Sequence, residues 1–110
     1  MPKSASAPLF SIITVVRNAS DTVENCIESV KNQSLADFEY IVIDSLSDDG
    51  TSEIISAHQS AIDIYVREKD AGIYDAMNKA IAICRGRYIG IINADDAYFE
   101  ETLKKIFAKK

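Results

Sequence analysis

The chain has 110 residues, 47% of them hydrophobic and 8% aromatic, with only four glycines and two prolines. That describes one ordinary globular domain with a real core and excludes a disordered or low-complexity chain. Twelve basic against seventeen acidic residues leave a net charge of -5, which argues against a general nucleic-acid surface, because such binding runs on phosphate neutralisation.

After a polar leader, Leu9 to Val16 is β-branched and apolar and predicts a first strand. Asn18-Ala19-Ser20-Asp21 punctuates it, and Val23, Cys26, Ile27 and Val30 then recur at helical spacing. Phe38 to Ile43 predicts a second strand ending in Asp44, and Ser47-Asp48-Asp49-Gly50-Thr51-Ser52 a turn into a second helix carrying Ile54 and Ile55. A third strand is expected near Ile62 to Val66. Ala76, Met77, Ala80, Ile81, Ile83 and Cys84 predict a third helix, ended by Arg85-Gly86 in the manner of a C-terminal glycine. The fourth strand is expected from Arg87 to Ile92, and a last helix from Tyr98 to Ala108.

Strand and helix alternate four times, and the strands are near-continuous apolar runs. The pattern predicts an α/β fold: a Rossmann-like three-layer α/β/α domain with a mostly parallel sheet of about four strands. No apolar run approaches the roughly 20 residues that span a bilayer, and the N-terminus has no signal-peptide character. A cytoplasmic chain is therefore expected, with peripheral placement at the inner membrane as the one extension. Asn18-Ala19-Ser20 and Asn32-Gln33-Ser34 match the glycosylation sequon but carry no meaning in a chain that is not secreted. Cys26 and Cys84 lack metal or redox spacing and read as reduced core thiols.

Sheets of this kind take ligands at the carboxyl ends of their strands, and the unusual polar residues gather there. Arg17-Asn18 follow the first strand, Asp44-Ser45 the second, and Asn93-Ala94-Asp95-Asp96 the fourth. Neither GxGxxG nor GxxxxGK[ST] occurs, which removes both common glycine-rich nucleotide sites. Adjacent acids at a strand end are either a helix cap or a site for a hard cation or polyhydroxy ligand. Asp44 can accept from a base imide or a ribose, and Asp96 beside Asp95 can bind a cation that neutralises a diphosphate.

Three runs carry a resemblance: Ile13-Thr14-Val15-Val16-Arg17-Asn18; Phe38-Glu39-Tyr40-Ile41-Val42-Ile43-Asp44 with Ser47-Asp48-Asp49-Gly50-Thr51; and Glu68-Lys69-Asp70-Ala71-Gly72-Ile73-Tyr74-Asp75-Ala76-Met77-Asn78-Lys79, followed by Gly86 to Asp96. From about Leu9 to its end the chain resembles the nucleotide-sugar-binding part of family 2 glycosyltransferases of the GT-A fold, in the branch serving bacterial surface polysaccharides. The resemblance implies that Asp44 contacts the uracil of a UDP-sugar, that Asp95 faces the ribose or sugar, and that Asp96 ligates Mg or Mn. Asn93 departs from the family's Asp-x-Asp signature at its first position.

The resemblance further implies transfer of the sugar, with inversion, to a glycan or lipid-linked acceptor. The acceptor half and its general base are then expected beyond Lys110, leaving residues 1–110 a single truncated domain incomplete for catalysis, with a fourth strand whose open edge invites self-association.

Other positions keep two readings. Asn18 either holds its loop or meets the nucleotide, and Lys79 either approaches the diphosphate or lies on a solvated helix face. Asp48 and Asp49 read first as capping residues, Tyr74 as packing, His58 as a surface residue, and Glu100 and Glu101 as first-turn helix residues. An inactive binding or assembly module with the same fold keeps the same acids. A receiver-type Mg-binding signalling domain needs an acid pair after the first strand, where this chain has Arg17-Asn18.

Overall fold

The computed structural model describes residues 7–34 and 37–97. The helix expected from Tyr98 to Ala108, with Glu100 and Glu101, lies outside the described residues. Four strands, β1 (Phe10–Val16), β2 (Phe38–Asp44), β3 (Ile64–Arg67) and β4 (Tyr88–Ile91), alternate with helices α1 (Val23–Lys31), α2 (Thr51–Ala57) and α3 (Ile73–Ile83). The strands form one fully parallel sheet in the order β3-β2-β1-β4, so the expected α/β architecture is the observed one. The third helix starts at Ile73, three residues before Ala76, the first apolar position expected on it, and the second is followed by a short 3-10 turn over Gln59–Ala61.

All fourteen residues of β1 and β2 are buried, as strands covered on both faces must be. Alternation then divides them between two cores. Phe10, Ile12, Val16, Phe38, Tyr40 and Val42 pack with Val23, Cys26, Ile27, Val30 and Ile55 beneath α1 and α2. Ile13, Val15, Ile41 and Ile43 face the other way, against Ala76 and Ala80 of α3. Within the first core the polar groups satisfy one another, the Thr14 and Tyr40 hydroxyls standing 2.8 Å apart.

Helix α3 departs from its expected face. Only Ala76 and Ala80 are buried, whereas Ile81 and Ile83 are exposed. The helix lies over β1 and β2, and its alanines allow a close approach, so the larger side chains at other angles point outward. Tyr74, expected to pack, is 79% exposed. On the same side Ile89 and Ile91 of β4 are exposed, and among the described residues β4 is an edge strand.

Gly86 ends no helix in the left-handed conformation: α3 closes on Cys84 with extended backbone, and only Gly50 and Gly72 have positive φ among the described glycines. Its glycine is demanded by contact instead. A Cβ there would stand 2.5 Å from Ser11 N and 2.6 Å from Phe10 C, where backbone cannot yield. Gly86→Ala is therefore expected to cost about 1–3 kcal/mol, as overpacking does, and to lower the urea midpoint at unchanged slope.

Candidate active site

At the carboxyl ends of β1, β2 and β3, an open cleft of about 510 Å³ separates the sheet from the start of α3. Val15 and Ala76 supply apolar surface, Arg17 and Lys69 positive charge, and Ser45 and Asp70 a hydrogen-bonded pair. The strand order reverses at β1, so this is the end of the sheet at which doubly wound folds open a ligand crevice.

The loops around the cleft are sewn to each other. Asn18, at φ 54, gives its backbone N–H to Ser47 Oγ (2.9 Å), and its side-chain oxygen accepts the Asp48 N–H (2.9 Å). Ala19 N–H donates to Thr51 Oγ1 at 2.8 Å, and Ser20 N–H to Asp49 Oδ2 at 3.2 Å. Of the two readings of Asn18, the structure shows the loop-holding one. Asp49 also accepts from the Thr51 hydroxyl and N–H, which with the Ser20 bond hold its carboxyl down at about 2. It closes the turn one residue before the Gly50 cap of α2. Asp48 is exposed, held through its backbone N–H by Asn18.

Leu46, also in the cleft wall, has φ 60, a conformation that costs an L-residue roughly 1–2 kcal/mol. Ser45 N–H to Val16 O and Ser47 N–H to Asp44 Oδ1, each 2.9 Å, fix the residues on either side of it.

Asp44 is placed differently from the expectation that it meets a base. Its side chain is 0% exposed and accepts from Ser47 N–H (2.9 Å), the Ser52 hydroxyl and the Tyr65 hydroxyl (3.0 Å), with Arg67 Nε 3.7 Å away. Burial pushes the carboxyl up, but the Ser52, Ser47 and Tyr65 bonds outweigh it and the pKa falls below its ordinary value. The reason is parity: Asp44 shares the face of Tyr40 and Val42 beneath α2, so the next residue, Ser45, turns toward the cleft.

Lys79 is likewise occupied. Its ammonium donates to Lys69 O (2.9 Å) and pairs with Glu68 at 3.1 Å and Asp75 at 3.8 Å, holding the segment that follows β3. Desolvation lowers its pKa, but the Glu68 bond and the neighbouring acids raise it overall.

The Asn93–Asp96 turn follows β4, which Ile92 extends by donating to Ile13 O at 3.0 Å. Asp96 N–H closes the turn on Asn93 O at 3.0 Å, buried Ala94 anchors it, and Asp95 and Asp96 stay exposed. Asn93, in place of the signature's first acid, donates to Asp96 Oδ2 at 3.5 Å. The two acids do not line the cleft. They lie toward α1, where burial first, and then the Asp96 and Asp95 charges, raise the Cys26 thiol against the lowering Thr14 and Tyr40 bonds.

Among the described residues no three His, Cys, Asp or Glu side chains gather as a metal cluster. Mg or Mn nonetheless suits the exposed pair, because such ions commonly bind through one or two carboxylates, water and substrate phosphates. His58, expected at the surface, is 17% exposed, with Nε2 2.9 Å from Glu24 Oε2 and Nδ1 3.9 Å from Glu28 Oε1, so it joins the end of α2 to α1 and does not line the cleft. Cys26 and Cys84 are free thiols, the first buried and the second half-buried.

Ser45 lies at a strand end that the sequence marks for a ligand, whereas Lys69 and Asp70 are cleft residues that the sequence pattern does not single out. The signal available was position: Lys69-Asp70 follow the third strand at the level where the other strand ends carry polar groups.

A doubly wound parallel sheet with a polar cleft and a two-acid turn at its carboxyl end defines a class of α/β domain that takes its ligand at that end. The sequence model of glycosyl transferase family 2 matches residues 11–109, and the chain belongs to that family. It is 35% identical over 101 residues to the putative teichuronic acid biosynthesis glycosyltransferase TuaG of Bacillus subtilis (strain 168), covering 89% of this chain and 40% of the relative. It is 33% identical over 107 residues to a PGL/p-HBAD biosynthesis glycosyltransferase of Mycobacterium bovis (strain BCG / Pasteur 1173P2), covering 94% and 42%. Among solved structures, S. aureus TarS 1-349 superposes with a TM-score of 0.81 at 24% identity over 90% of this chain and 31% of that 1-349 chain, which establishes the GT-A fold. The chain thus spans 40% and 42% of the length of these two curated relatives. Among the described residues no helix is long and apolar enough to cross a membrane.

Proposed function

We propose that the chain is the donor-binding part of a glycosyltransferase that moves a sugar, with inversion, from a nucleotide diphosphate sugar to a glycan or lipid-linked acceptor of a bacterial surface polysaccharide. The observation that carries this is the Asn93–Asp96 turn, with its two exposed carboxylates, at the end of a strand paired with β1 where the strand order reverses. TarS has been solved with UDP-GlcNAc and with UDP, and a Pyrobaculum calidifontis mannosyltransferase of similar fold with GDP-Man and Mn2+. These support a nucleotide sugar as donor, and the two TarS complexes favour UDP.

In this reading Asp96 holds Mg or Mn, with Asp95 beside it toward the ribose or sugar. When bound, the ion neutralises charge on the diphosphate leaving group. The protein's own contribution is orientation: Asn93 donates to the Asp96 carboxylate, Asn18 ties the loop after β1 to the loop after β2, and Arg17 adds positive charge at the cleft. The acceptor hydroxyl's proton goes to a general base outside these 110 residues.

Titration calorimetry with UDP, with and without Mn, tests the proposal. Binding is expected to require the metal, and Asp96→Ala is expected to weaken it at least about tenfold, the scale of one lost charge-assisted contact. Equal affinity with and without metal, or no binding at all, rejects it.

A further inference from the structure

We infer that Asp70, held by Ser45, reads the base of the donor nucleotide and selects a ring that presents an N–H, uracil before cytosine. The inference rests on the donor-site reading above and assigns within it a role that Asp44 is not placed to fill.

Among the described residues Asp70 is the one carboxylate in the cleft wall, and Asp44, the acid expected there, is sealed beneath α2. The Asp70 side chain is fixed on two sides. Its Oδ2 accepts the Ser45 hydroxyl, and its Oδ1 accepts the Gly72 N–H at 3.0 Å. An ionised carboxylate offers about four acceptor directions, so two remain on a residue lining an open cleft. Gly72 makes the second anchor possible: at φ 126 the backbone turns its N–H back onto Asp70, a conformation that favours glycine.

The segment carrying Asp70 is held in turn. Lys79 reaches back from α3 to Lys69 O and Glu68, and Asp75 Oδ2 accepts the Ala71 N–H at 2.8 Å. The Ser45 bond, against a small desolvation penalty, and then the Gly72 bond and the Lys79 and Arg17 charges hold the Asp70 carboxyl below its ordinary range, so it remains an acceptor with no proton to give.

An acceptor-only group in a fixed place discriminates by what faces it. Uracil presents a donor at N3, whereas cytosine presents a lone pair there, and a carboxylate against that lone pair is repelled. The apolar surfaces of Val15, Ala76 and Ile73 give a flat ring something to lie against, and a cleft of about 510 Å³ is within the usual size of small-ligand sites. Arg17 and Lys69, at the same wall, leave room for the negative charge that follows the base.

The test is calorimetry of UDP and CDP against the full chain with Mn present. Wild type is expected to prefer UDP by about tenfold or more, the scale of one charge-assisted hydrogen bond. In Asp70→Asn, whose amide both donates and accepts, the UDP:CDP ratio is expected to fall to within about threefold, mainly through loss of UDP affinity. Ser45→Ala, which frees the carboxylate without removing it, is expected to lower the ratio part of the way. Thermal unfolding of both variants verifies that they fold. Metal-dependent binding of UDP and CDP with equal affinity in wild type, or an unchanged ratio in Asp70→Asn, overturns this inference and leaves the donor site standing. Binding of neither nucleotide overturns both.

Discussion

Asp44→Ala is expected to cost about 3–5 kcal/mol of folding stability. The carboxylate is the shared acceptor of three donors from three parts of the chain: the Ser47 N–H of the loop after β2, the Ser52 hydroxyl of α2 and the Tyr65 hydroxyl of β3. A buried donor left without its acceptor costs about 1–3 kcal/mol, and part of the total is recovered where water enters the space left by the side chain. Against the 5–15 kcal/mol of a typical domain, the loss is large enough to read directly as a drop in urea midpoint. Its pH dependence has a definite sign. The folded pKa lies below the ordinary 3.8, so the stabilisation is fully present above 3.8 and fades as pH falls through the lower folded value. The gap between wild type and Asp44→Ala is therefore expected to be widest near neutrality and to narrow in acid. A gap that stays constant down to the acid transition would show that the three donors do not depend on the ionised carboxylate.

The same residue shows how far sequence carries. Its presence at a strand end, facing the ligand side of a parallel sheet, is legible from the apolar run before it and from the alternation of strands and helices. Its direction is not. In a strand buried on both faces the residue types no longer alternate, so nothing in Phe38 to Ile43 says which parity faces α1 and α2 and which faces α3. Only the strand order, with β4 beside β1 and α3 on the opposite face from α1, settles that Ser45 rather than Asp44 turns to the cleft. Ile81 and Ile83 fail for a related reason: helical spacing marks a face, but two alanines are enough to seat α3, and the larger residues stay outside. Gly86 was legible as a break in the pattern, while its cause, the backbone of β1 at van der Waals distance, is a contact across 75 residues. What did read correctly, the α1 face of Val23, Cys26, Ile27 and Val30 and the four-strand parallel sheet, rests on local periodicity repeated often enough to outvote its exceptions.

Glu39 supplies the second large effect, at the opposite end of the sheet. It lies in β2, 1% exposed, and its carboxylate accepts the Ser11 hydroxyl at 2.5 Å, the Arg85 N–H at 2.7 Å and Arg85 Nε at 3.3 Å. Ser11 Oγ in turn accepts the Gly86 N–H at 2.8 Å, so one buried acid ties β1, β2 and the turn between α3 and β4. Burial pushes the carboxyl up, but the Ser11 and Arg85 bonds carry it below the ordinary 4.5, and its stabilisation is present above 4.5 and lost as pH falls through the folded value. Glu39→Ala is expected to cost about 3 kcal/mol, because the Ser11 hydroxyl and the Arg85 N–H lose their acceptor, while the Arg85 guanidinium, 57% exposed, returns to water at little cost. Glu39→Gln keeps one acceptor oxygen and is expected to lose less than half as much. The staple sits at the amino ends of the strands, away from Asp70 and the Asn93–Asp96 turn. Below its melting transition Glu39→Ala is therefore expected to bind UDP and Mn as wild type does. A nucleotide affinity that falls in step with stability would mean that β4, anchored through this turn, does not hold its carboxyl end in place without Glu39.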